Sequence, residues 1–213
     1  MISPLSFRMQ ECSNQDCRFR FPVLENASRI EVCPKCGASL KEIGSAYPRH
    51  RVERELLAPQ APELHLLLDN IRSIYNVGSI FRTAAATGIA KIHLCGMTAT
   101  PDNPRLAKTA IGAEKMVTWK YHLNGLVAAK ALAQEGISLW AIEGGEKATS
   151  LFDAKIPQDN RKIALIIGNE LAGIDPEIIR VSERILYIPM QGSKESLNLT
   201  VAFGIAAYYL RYF

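Results

Sequence analysis

The segment KIALIIG at residues 162–168 is the strongest restriction on the fold. Its apolar residues run on without alternation, which marks a strand covered on both faces. It has company: ELHLLLDN reads as another buried strand, and AKIHLCG, KMVTWKY, SLWAIE and RILYIPM as four more. Helical segments are interleaved with them. SIFRTAAATG is closed by Gly88, PRLAKTA is short, and LVAAKALAQEG is closed by Gly136. DPEIIRVS starts at Asp175 and Pro176, and LNLTVAFGIAAYYL ends the series. Strand–helix alternation of this kind implies an α/β domain, a parallel sheet with helices on both faces, expected over residues 64–213. The last helix is apolar almost all round, so it is either buried within its own domain or covered by a second copy.

Ahead of that domain lie four of the five cysteines. Cys12 and Cys17 are spaced C-x(4)-C, and Cys33 and Cys36 C-x(2)-C within CPKCG. Two such pairs across a hairpin-length gap form a ribbon pattern, with CRFRFP and RIEV as its candidate strands. So short a segment buries little core and needs a staple. One tetrahedral zinc held by Cys12, Cys17, Cys33 and Cys36 supplies it, structural because four thiolates leave no open position. Iron suits the same ligands, and two disulfides are the alternative in an oxidising compartment. Arg18, Phe19, Arg20 and Phe21 interleave cations with aromatics, a pattern that grips RNA or marks a strand with one buried face. The isolated Cys95 reads as a small apolar strand residue.

The expected organisation is a zinc ribbon at 1–45, a linker at 46–63 and the α/β domain at 64–213. The linker carries Pro48, Pro59 and Pro62, although RHRVERELL within it has the makings of a short helix. No apolar run approaches the ~20 residues of a membrane span, and the N-terminus lacks a secretory pattern. The expected compartment is the cytoplasm, where thiols stay reduced. A net charge of +4 is compatible with a polyanionic partner without requiring one.

No strand is followed by G-x-G-x-x-G, no P-loop is present, and the four histidines do not form H-E-x-x-H. Three loops remain, each just past a strand end, where open α/β sheets hold ligands. The first contains Asn70, Arg72, Asn76, Gly78 and Arg82; the second Gly168, Asn169, Glu170 and Gly173; the third Gly192, Ser196, Leu197 and Asn198. Alone, each has a plain structural reading: a turn, a solvated strand end, a helix N-cap at Ser196 or Asn198.

Together, and in this order, they resemble the three motifs of the SpoU (TrmH-like) RNA methyltransferases of the SPOUT superfamily. NVGSIFRTA, with six residues from Asn76 to Arg82, is similar to the first motif, LIIGNELAGI to the second and IPMQGSKESLNLTVAFGIAAY to the third. AIGAEKMV, with Gly112 and Ala113, is similar to the family's middle segment. The resemblance covers about Glu63 to Tyr209 and does not include the ribbon.

It implies a SPOUT fold with a C-terminal trefoil knot, a homodimer through that domain, and transfer of a methyl group from S-adenosylmethionine to a ribose 2′-hydroxyl of tRNA or rRNA. A catalytically inactive RNA-binding protein recruited by its ribbon is the other outcome. By the same resemblance Gly168, Asn169, Ile188, Met190 and Leu197 hold the cofactor. Gly168 and Gly192 suit close backbone approach, and Ile188, Met190 and Leu197 suit apolar walls around an adenine. Arg82 is implicated in catalysis, either as a base or as a cation binding RNA phosphate and the developing alkoxide. Since a guanidinium is a poor base, the second role is favoured. Asn76 would orient Arg82 or the ribose. Glu170, Ser196 and Asn198 complete the pocket, Glu170 as a possible proton acceptor.

Overall fold

The computed structural model describes residues 5–26, 30–49, 61–157, 161–194 and 196–213. It divides into two compact units, Met1–Leu56 and Leu57–Phe213.

The first unit is a three-stranded antiparallel sheet in the order β2-β1-β3: β1 Ser6–Cys12, β2 Arg20–Leu24 and β3 Leu40–Pro48. Of RFRF only Arg20 and Phe21 enter a strand, β2, and its partner is β1, a segment not expected to be a strand. RIEV contributes only an isolated bridge, Val32 to Ser39. The reason lies in the knuckles. Asn14 folds the chain after Cys12 by accepting the N–H groups of Cys17 and Arg18 on its carbonyl and that of Asp16 on its side chain, so β2 returns along β1. A second tight turn, with Gly37 at φ 74°, follows Cys33 and delivers the chain to the other side of β1. β3 runs to Pro48, past residue 45, the expected edge of the ribbon, because its ladder continues to Ser6 and Phe7. The possible helix in RHRVERELL lies outside the described residues.

The second unit is a seven-stranded sheet in the order β6-β5-β4-β9-β7-β10-β8, in which every pairing is parallel. The strands are β4 Glu63–Asp69, β5 Lys91–Cys95, β6 Trp119–His122, β7 Ser138–Ile142, β8 Thr149–Ser150, β9 Lys162–Ile167 and β10 Arg184–Tyr187. The helices are α1 Ile74–Thr87, α2 Ala107–Ala110, α3 Gly125–Gln134, α4 Pro176–Val181 and α5 Leu199–Tyr212. β9, the apolar run, lies between β4 and β7, and its Ile163 to Ile167 are all buried. Alternate residues of the central strands serve two cores. Leu64, Leu66 and Leu68 join Phe81 of α1 and Phe203 of α5 on one face. Leu67 joins Ala129 of α3 and Ile178 of α4 on the other.

Three departures from the sequence reading bear on the site. KMVTWKY is strand only from Trp119, with residues 113–115 wound into a 3₁₀ turn. The two-residue β8 carries too little pattern to be read. RILYIPM stops pairing at Tyr187, since Pro189 has no N–H for a ladder, and Ile188 and Met190 are freed to line a cavity. After β10 the chain returns to seat α5 against α1, β9 and β7.

Candidate functional site

The site is built at the carboxyl ends of β4, β9, β7 and β10. β4 ends at buried Asp69, followed by Asn70 in the left-handed region at φ 57°. Asp69 accepts the Asn70 side-chain N–H at 2.8 Å and the backbone N–H of Asp175 at 3.0 Å, tying the loop after β4 to the start of α4. Burial raises the Asp69 carboxyl above its usual range.

α1 begins at Ser73, whose hydroxyl accepts the Asn76 N–H at 3.3 Å. Glu170, from the loop after β9, accepts further donors around this helix start. One oxygen accepts the Arg72 N–H at 2.9 Å; the other accepts the Ser73 N–H at 2.9 Å and the Asn76 amide at 3.0 Å. Partial burial opposes ionisation of Glu170, but these donors outweigh it and hold its pKa below the usual value. A carboxylate so engaged is a weak proton acceptor; its evident work is to fix the first motif to the second.

The second loop closes on itself. Asn169 exchanges backbone hydrogen bonds with Gly173, and its side chain accepts the N–H groups of Leu171 and Ala172 while donating to the Asn70 carbonyl at 2.7 Å. Glycine is required at 168, where a Cβ would lie 2.3 Å from the backbone of Gly173 and Ile174. Gly192 is different: nothing lies within 4 Å of its Cβ position, so no neighbouring protein atom requires glycine there. In the third loop Asn198, rather than Ser196, caps α5 by accepting the Thr200 N–H at 2.8 Å. Its amide reaches Asn76 Oδ1 at 3.5 Å, which joins the third motif to the first.

The second and third loops, with the end of β7, line a cavity of about 750 Å³, within the size of small-molecule sites. Gly168, Asn169, Glu170, Ile188, Met190, Ser196, Leu197 and Asn198 line it. Asn76 borders it through Glu170 and Asn198. Arg82 does not line it: it is exposed on α1, six residues beyond Asn76, about 9 Å along the axis. Among the described residues it makes no hydrogen bond or ion pair. The sequence reading missed Asp69, Glu143, Gly144 and Tyr187. The dipeptide EG straight after SLWAI was the available signal for Glu143, an acid and a glycine at a strand's carboxyl end.

In the first unit the Sγ atoms of Cys12, Cys17, Cys33 and Cys36 all lie within 4.8 Å of one another. Cys12 and Cys36 are 3.4 Å apart, Cys17 and Cys33 3.9 Å. Ligands on a tetrahedral zinc at about 2.3 Å would be separated by about 3.8 Å, so this donor set fits. The Lys35 N–H points at Cys33 Sγ, 3.4 Å away, as a knuckle that stabilises a thiolate should.

A parallel α/β sheet with a ligand-sized cleft formed by three looped strand ends is the architecture of the SPOUT methyltransferases. The chain belongs to the SpoU rRNA methylase family, whose profile matches residues 63–208. It is 33% identical over 149 residues to the 23S rRNA (guanosine(2553)-2′-O)-methyltransferase RlmP of Bacillus subtilis, covering 68% of this chain and 57% of that one. It is 29% identical over 157 residues to the tRNA (guanosine(18)-2′-O)-methyltransferase of Thermus thermophilus, covering 74% and 78%. Among solved structures, an AdoMet-bound rRNA methyltransferase from Sinorhizobium meliloti superposes with a TM-score of 0.65 at 27% identity, over 71% of this chain and 57% of that one. The chain thus spans little more than half the length of two of these three relatives.

Proposed function

We propose that this protein transfers a methyl group from S-adenosylmethionine to a ribose 2′-hydroxyl of tRNA or rRNA. The observation that carries this reading is one cavity lined by the second and third motif loops, with the first motif braced against it by Glu170 and by the Asn198–Asn76 contact. The fit to the cofactor rests on chemistry. Ile188, Met190 and Leu197 offer apolar walls to an adenine, and Gly168 exposes backbone for its polar edge. The bound cofactor supplies an electrophilic methyl group. Within the chain, Glu170 positions and Asn76 orients, while Arg82, exposed and without a partner among the described residues, is left available to an RNA phosphate and to charge developing on the ribose oxygen.

Supporting this, relatives are named as ribose methyltransferases of tRNA and of rRNA guanosines. The four clustered thiols of the ribbon are assigned one structural zinc, since mutual convergence of all four is not the arrangement of two separate disulfides. A homodimer through α5 is supported by its exposed stripe of Val201, Tyr208 and Tyr212 at helical spacing. No helix among the described residues is long and apolar enough to cross a membrane. A cytoplasmic location suits reduced, metal-binding thiols.

The test is labelled methyl transfer to cellular RNA, read as 2′-O-methyl nucleotides after digestion, beside calorimetry with the cofactor. Transfer with binding is expected. Cofactor binding without transfer to any RNA would favour the inactive RNA-binding alternative. Arg82→Ala is expected to abolish transfer and keep cofactor affinity; lost affinity in a folded variant would overturn the role given to Arg82.

A further inference from the structure

The wall of the cavity has a charge pattern that the three motifs do not account for. Among the described residues it is lined by two carboxylates, Glu143 and Glu170, and by no lysine, arginine or histidine. The two acids are placed differently. Glu170 is spent on the start of α1, where three N–H groups and the positive end of a helix offset its charge. Glu143, at the end of β7, accepts one N–H on each oxygen, from Ile174 at 3.1 Å and from Gly144 at 3.2 Å. A carboxylate offers about four lone-pair directions, so half of its capacity stays open. No cation pairs with it among the described residues. Its seat is specific, for Gly173 lies against it at φ 73° and a Cβ there would come within 2.7 Å of Oε2.

A half-buried anion in a cleft attracts a cationic ligand more strongly than a neutral one of the same shape, because the surrounding protein screens less than water. Resting on the proposed methyl transfer, the ligands that alternate in this cleft differ in one charge. The donor carries a sulfonium, and the product left after transfer carries a neutral thioether; their amino, carboxyl and ribose groups are the same. We propose that Glu143 is a specificity-determining residue that favours the sulfonium donor over its demethylated product and so limits occupation of the cleft by spent cofactor.

The test is calorimetric affinity of the full chain for S-adenosylmethionine and S-adenosylhomocysteine, in the parent protein, Glu143→Gln and Glu143→Asp, with thermal melts to confirm folding. Glutamine retains an acceptor for the Ile174 N–H and removes the charge; it also gives up the acceptor for the Gly144 N–H, a loss that affects both ligands alike. Glu143→Gln should weaken donor binding about tenfold while changing product binding much less, and Glu143→Asp should restore most of the preference. An equal loss for both ligands would assign Glu143 to a group they share, and no change for either would leave it without a role in recognition; each overturns the proposal. If neither ligand binds the parent protein, the methyltransferase reading fails instead.

Discussion

Gly168 illustrates how much of this site is decided by single residues. A methyl group there would meet main chain, which cannot rotate aside as a side-chain tip does. Gly168→Ala is expected to cost about 1–3 kcal/mol of stability and most of the affinity for cofactor, seen by urea unfolding and calorimetry. Glu170 gives a prediction in pH. Its folded-state pKa is lower than the ordinary 4.5, so its stabilising contribution is complete above about that pH. The contribution is lost as pH falls through the depressed native value. Glu170→Gln should therefore be less stable than the parent at neutral pH, and the gap should close on acidification below about 4.5. A gap that stayed constant across that window would show that the charge plays no part. Both residues could be selected from the motif strings, but the work of Glu170 could not. In the sequence it was a possible proton acceptor, whereas in space its oxygens face three donors from a loop nearly a hundred residues away.

At the scale of elements, α1 is held from both ends and from one side. Its start is fixed by Ser73 and Glu170. At its end Arg211 of α5, itself buried, donates to the carbonyls of Thr87 and Gly88, and to that of Pro62 ahead of β4. Burial lowers the Arg211 pKa, and the last carbonyls of α1 provide partial negative charge in place of a carboxylate. Arg211→Met should cost about 1–3 kcal/mol, since the guanidinium leaves and three carbonyls lose their donor. Along its side, α1 packs so close to α2 that a Cβ on Gly78 would lie 2.0 Å from Thr109 Oγ1 and 2.8 Å from the Leu106 carbonyl. Gly78→Ala is expected to lower the melting temperature. Adding Thr109→Ala should recover only part of the loss, because the carbonyl remains; full recovery would contradict this packing account. Gly78 was visible as a motif letter, and the helix it touches was legible as PRLAKTA. That the two meet was not.

For the whole molecule, two units of unlike stability are the expectation. The α/β unit has two apolar cores, one on each face of its sheet, whereas the ribbon has a few partly buried side chains and four thiols. A strong chelator, or Cys33→Ser, should abolish a separate thermal transition belonging to residues up to about 48 and leave that of the α/β unit in place. One unaltered transition would argue against a structural metal. The ribbon also presents Phe19 and Phe21, with ring centroids 5.3 Å apart, beside exposed Arg18 and Arg20. If this surface binds RNA, Phe19→Ala with Arg18→Ala should weaken RNA affinity and flatten its salt dependence.

The amino-acid sequence by itself determined the class of the large unit, the ends of most of its helices, the four thiols and the identities of the three motif loops. Those are properties of neighbours in the chain: periodicity, capping residues, turn residues and short spacings. Strand order, the place of β1 at the centre of the ribbon, and the partners of Glu143, Glu170 and Arg211 were decided only in the tertiary structure. So was the row of His65, His93 and His122, scattered in sequence, which β4, β5 and β6 align at 3.5 and 3.0 Å. Burial there, with its neighbours' charges, pulls His93 down to about 3. Parallel strands pair residues that are about twenty-five to a hundred positions apart, and nothing local in either segment records which partner it will meet.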